Sequence, residues 1–79
     1  MMKQRTLYEI PATGQFAMLV GKIRWKGLDG YTILTFSGER CRTMFLEEKA
    51  SFQLKEAKLP AKKEAKIWDA FREYLERKL

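Results

Sequence analysis

Three cations, Lys22, Arg24 and Lys26, recur at every second position of "KIRWKGLDGYTILTF", residues 22–36. Alternate side chains of an extended strand leave the same face, so these three should stand together. Arg40 and Arg42 repeat the spacing on either side of Cys41, the only cysteine. Cations held on one fixed surface can neutralise phosphates, and an aromatic ring beside them can stack on a base. Tyr31 is the ring that alternation brings to this face. Arg24 and Arg42 could contact phosphate or reach guanine edges. Other chemistry is thinly represented. The chain has no histidine, so the commonest general base and metal ligand is missing. One cysteine without histidine makes neither a zinc site nor a Cys–His pair. Glu47 and Glu48 are adjacent and point apart on a strand or a helix. The glycines stand singly at turns, and no phosphate-binding loop ends in Gly-Lys-Ser/Thr. No enzyme, metal site or cofactor is expected.

The elements that must position these cations follow from periodicity. Residues 16–26 read as a first strand, 31–36 as a second and 39–45 as a third, with turn signals at Asp29-Gly30 and Ser37-Gly38. A loop of Asp29-Gly30 alone pairs Ile23 with Phe36 and Trp25 with Leu34. A loop of residues 27–30 pairs Ile23 with Leu34 and Lys26 with Tyr31. The two registers differ by two residues, so both give the same faces. Leu19, Ile23, Trp25, Leu34 and Phe36 share an apolar face. Lys22, Arg24, Lys26, Tyr31, Ile33 and Thr35 share the other, where the second turn adds Arg40, Arg42 and Met44. Cys41 then turns inward as a structural thiol, and Trp25 is assigned to the core.

The cover for the apolar face comes from the C-terminus. Pro60 suits a first helical position. Beyond it Ile67, Trp68, Phe71, Tyr74 and Leu75 recur at helical spacing, with Leu79 one turn on. Asp69, Arg72, Glu73, Glu76 and Arg77 fill the opposite side, and Glu73 with Arg77 makes a favourable pair four apart. Trp25, Leu34, Phe36, Trp68 and Phe71 should therefore meet in one core. In residues 46–59 the helical spacing of Leu46, Ala50, Leu54 and Ala57 favours helix, while Phe52 and Leu54 alternate as in a short fourth strand. Lys62 and Lys63 sit in the first turns of the C-terminal helix, where free amides and lysines can hold a phosphate.

Size and composition agree with one small α+β domain over residues 1–79: an N-terminal arm at 1–15, a β-meander of three or four antiparallel strands at 16–46, and a mainly helical part at 47–79. Hydrophobic residues at 46% argue for a packed core rather than disorder. The net charge of +6 favours partners of negative potential. Residues 1–46 carry seven cations against three anions, and residues 47–79 carry nine against seven, so the excess concentrates on the strands. The longest wholly apolar run, residues 16–20, is too short to span a bilayer or to serve as the core of an export signal. A lone cysteine points to the cytoplasm. An antiparallel sheet backed by one helix is used by some DNA-binding domains, an analogy of architecture alone. Two readings stand: a module that binds DNA or RNA through its cationic sheet face, and a protein-interaction module that docks an acidic partner or adds a second copy at a sheet edge.

Overall fold

A computed structural model describes residues 2–38 and 40–78, without the Lys78 side chain. Glu39 and Leu79, placed above at the start of a strand and the end of a helix, lie outside the described residues. The elements are β1 (Tyr8–Ile10), β2 (Gln15–Trp25), β3 (Leu28–Ser37), β4 (Arg40–Glu47), α1 (Glu48–Ser51), β5 (Lys55–Glu56) and α2 (Ala61–Lys78). The strands form one antiparallel sheet in the order β4-β3-β2-β1-β5. The α+β class and the C-terminal helix match expectation. The sheet has five strands rather than three or four, because β1 forms within the expected arm and β5 within the expected helix.

A β-bulge decides which residues each face carries. Leu19 pairs with Ile33 and Gly21 with Thr32, so Val20 is an extra residue in β2. Such a residue shifts the alternation by one and exchanges the faces on either side of it. Before the bulge, Phe16 and Met18 pair with Phe36 and Leu34 on the helix side. After it, Ile23 and Trp25 take that side, and Lys22 and Arg24 take the other. Leu19 therefore leaves the face expected for it. Both faces become apolar at the β1 end, which accounts for the unbroken run "FAMLV".

Two clusters result. On the helix side, Leu7, Leu34, Ile67 and Phe71 are buried, with Phe16, Phe36, Cys41, Trp68 and Leu75 packed around them. Phe71 is fully buried and meets Phe36 and Trp68 edge-on, at centroid distances of 6.2 and 6.0 Å. Side chains of this kind contribute about 1.5–3 kcal/mol each on burial. On the opposite side, Met2, Tyr8, Ala17, Tyr31 and Ile33 are buried, with Leu19, Leu46 and Leu54 against them. Trp25 belongs to neither cluster and is 48% exposed, which corrects its assignment to the core.

Residues 46–59 divide because both clusters need cover. Leu54 packs against the Tyr31 cluster, while Ala57 and Leu59 reach the Phe71 cluster. A continuous helix would keep Leu54 and Ala57 on one side. Instead the four-residue α1 stops, Lys55 and Glu56 pair with Glu9 and Tyr8, and the Ala57 N–H donates to the Leu7 carbonyl at 2.8 Å. On α2 the expected Arg77–Glu73 ion pair forms at 3.1 Å.

Candidate nucleic-acid interface

The cations are positioned by two hairpins. The β2–β3 turn is Lys26-Gly27, since Trp25 pairs with Leu28, and both turn residues have positive φ, 51° and 79°. That is the conformation of a primed two-residue turn, for which glycine at the second position is suited. The turn expected at Asp29-Gly30 does not form. Gly30 lies inside β3 opposite Ile23 and Glu47. A Cβ there would meet the Leu46 carbonyl and the Phe45 ring, the latter at 2.6 Å, so this glycine admits Phe45 over the strand. The register near the turn differs from both expected ones but keeps their parity. Lys22 pairs with Tyr31 and Arg24 with Asp29, so both remain on the Tyr31 face. In the β3–β4 hairpin, Ser37 pairs with Arg40 and Thr35 with Arg42, so both arginines share the Tyr31 face as expected.

Lys22, Arg24, Lys26, Arg40 and Arg42 are all exposed. They form two groups. Lys22 and Arg24 stand near the β2–β3 turn, with Lys26 in the turn itself rather than on a strand face. Arg40 and Arg42 stand near the β3–β4 connection. Asp29 and Ser37, their outermost partners on β3, are eight residues apart, or roughly 26 Å along the strand. Arg24 Nε approaches Asp29 Oδ1 at 3.8 Å, with both side chains about two-thirds or more exposed, so the pair holds Arg24 only weakly.

Tyr31, expected as an exposed ring on this face, is buried. It is 3% exposed beneath Met2 and the other side chains of its cluster, because the bulge makes this face apolar. Its hydroxyl is buried with no hydrogen-bond partner among the described residues. The open ring is Trp25, on the helix side of the hairpin end. It packs on Phe45 at 5.2 Å with a 50° tilt, and Lys26 Nζ lies 4.6 Å from its centroid. Ile23 and Leu28 beside it are 42% and 45% exposed. A shallow groove of about 320 Å³ runs from Ile23 and Trp25 across Thr32 to Thr43 and Phe45. The apolar cover of α2 does not extend to this end of the sheet.

Lys62 and Lys63 are exposed at the start of α2. Because α2 packs on the helix side, the sheet separates them from Arg40 and Arg42, and the two groups do not form one surface. Cys41 faces α2 as expected and is half-buried, its thiol donating to the Ala70 carbonyl at 3.6 Å. Burial pushes its pKa up, which disfavours the nucleophilic thiolate. Among the described residues no three His, Cys, Asp or Glu side chains cluster as metal ligands, and no helix is long and apolar enough to cross a membrane.

Sequence reasoning missed the exposed Trp25. Lys26-Gly27 was a usable signal, since a turn there puts Trp25 at the last strand position, where cover is thinnest. No protein-family model, curated protein or solved structure matches the chain.

Proposed function

We propose that this chain is a small non-enzymatic module that binds single-stranded DNA or RNA through the β2–β3 hairpin. The observation that carries the reading is the exposed Trp25 ring with the Lys26 ammonium beside it. An indole open to solvent at a hairpin end offers a base a stacking surface worth about 1–3 kcal/mol. Lys26 beside it, and Lys22 and Arg24 on the opposite face of the same hairpin, supply phosphate contacts without sequence information. Arg40 and Arg42 continue the positive surface along the opposite end of the Tyr31 face. The bulge at Val20 and the basic residues on β2 and β4 are features that discourage pairing of strand edges between chains. The module acts in the cytoplasm, where a free thiol such as Cys41 remains reduced.

The test is fluorescence-detected binding of oligothymidylate and oligouridylate to the wild type and to Trp25→Ala. The variant should bind roughly 5- to 150-fold more weakly, the equivalent of one stacked base. Unchanged affinity would remove Trp25 from the interface. A second reading, docking of an acidic protein, is favoured by the apolar groove of Ile23, Trp25 and Phe45 with Lys26 at its rim. It requires that no nucleic acid binds at low salt.

A further inference from the structure

We propose that a recess at the β3–β4 end of the sheet is a subsite for one phosphate group. It has a volume of about 250 Å³ and is lined by Gln15, Thr35, Ser37, Arg40 and Arg42. The sheet register brings these residues together. Arg40 is opposite Ser37, Arg42 is opposite Thr35, and Thr35 is opposite Ala17, two residues from Gln15 in β2. All five side chains therefore belong to the face away from α2.

Their chemistry is that of a donor set. Arg40 and Arg42 are two apart on one strand, so their side chains rise roughly 7 Å from one another and can approach an anion from two sides. Neither takes part in the four ion pairs between described residues, and no carboxylate lines the recess among those residues. The Thr13 hydroxyl lies 3.2 Å from Gln15 Oε1, an arrangement that leaves the Gln15 amide NH₂ as a donor. Thr35 is 3% exposed and forms the floor. Its hydroxyl reaches the Arg42 carbonyl only at 3.5 Å, long for a hydroxyl bond, so it can turn to a better acceptor. Two guanidinium groups, an amide and two hydroxyls match a tetrahedral oxyanion. The absence of any ring from the lining, together with a volume below that of typical small-molecule sites, fits a phosphate group rather than a nucleobase.

This subsite deepens the nucleic-acid reading, and rests on it only for the source of the phosphate, a strand backbone as opposed to free phosphate. The experiment follows the arginine Nε–H signals by NMR in two titrations, with inorganic phosphate and with an oligothymidylate of about ten nucleotides. Phosphate should shift Arg40 and Arg42 saturably while leaving Arg72 and Arg77 in place. The shift should vanish in Arg40→Gln/Arg42→Gln and persist in Lys22→Ala/Arg24→Ala, with backbone spectra showing that both variants fold. If the oligonucleotide shifts Arg40 and Arg42 together with Arg24, the recess serves a strand. If phosphate shifts them and the oligonucleotide shifts nothing, the subsite stands for free phosphate and the nucleic-acid reading falls. If the oligonucleotide moves Arg24 alone and phosphate moves neither Arg40 nor Arg42, or moves all arginines alike, the subsite is overturned.

Discussion

Phe71, on α2, and Trp25, on β2, both lie on the helix side of the sheet, but only Phe71 is buried, and paired truncations measure the difference. Phe71 has no exposed surface and two aromatic neighbours. Phe71→Ala removes a complete buried ring and leaves a cavity, at a cost of about 3–5 kcal/mol. A chain of 79 residues has a total stability of roughly 4–12 kcal/mol, so this change brings the protein close to unfolding. Phe71→Leu, which keeps most of the volume, provides a folded comparison at about 1–2 kcal/mol. Trp25 is 48% exposed, so it retains about half of an aromatic burial term, plus the ring contact with Phe45. Those contributions, about 1 kcal/mol each, put Trp25→Ala at about 2 kcal/mol. Urea denaturation followed by far-UV circular dichroism gives each value. A loss for Trp25→Ala as large as that for Phe71→Ala would put Trp25 in the core and refute its place at the uncovered end of the hairpin, beside the Lys26-Gly27 turn.

Three further outcomes follow from single groups. Tyr31→Phe removes a buried hydroxyl without a partner among the described residues, so it should raise stability by about 1 kcal/mol in thermal melts. Lys26→Asn suits the positive φ of 51° at the first turn position, and should stabilise by up to about 1 kcal/mol in the same assay. Cys41 should react slowly with thiol reagents in the native state at neutral pH, because burial raises its pKa. The sign of that shift also sets its pH dependence. The stability Cys41 contributes is complete below the ordinary thiol range and is lost as pH rises through the raised value, an alkaline loss that Cys41→Ala should remove.

Periodicity alone was enough to place Leu34, Phe36, Trp68 and Phe71 in one cluster, since each sits in a regular stretch of period 2 or 3.6. It also put Lys22, Arg24, Arg40 and Arg42 on Tyr31's face. Parity explains this, because errors of an even number of residues in register leave faces unchanged. The odd step at Val20 was not legible from alternation. It moved Leu19 to the Tyr31 face and Phe16 and Met18 to the helix face, and so closed Tyr31 off from solvent. The apolar run at residues 16–20 carried that information, since a strand apolar on every residue has cover on both faces. The two glycines of "KGLDG" present the same turn chemistry, and only the Phe45 ring over Gly30 distinguishes them. That contact joins residues far apart in the chain. Phe52, which fitted no stripe, is 74% exposed, in keeping with its lack of pattern.

The most direct test of the central claim is a salt titration of single-strand binding by the wild type and by Lys22→Ala/Arg24→Ala/Lys26→Ala. With four or five phosphates neutralised, log affinity should fall against log salt with a slope near −3, and the triple variant should flatten it by about 2. Affinity weaker than about millimolar at low salt, or a slope that the triple variant leaves unchanged, would contradict nucleic-acid binding through the hairpin.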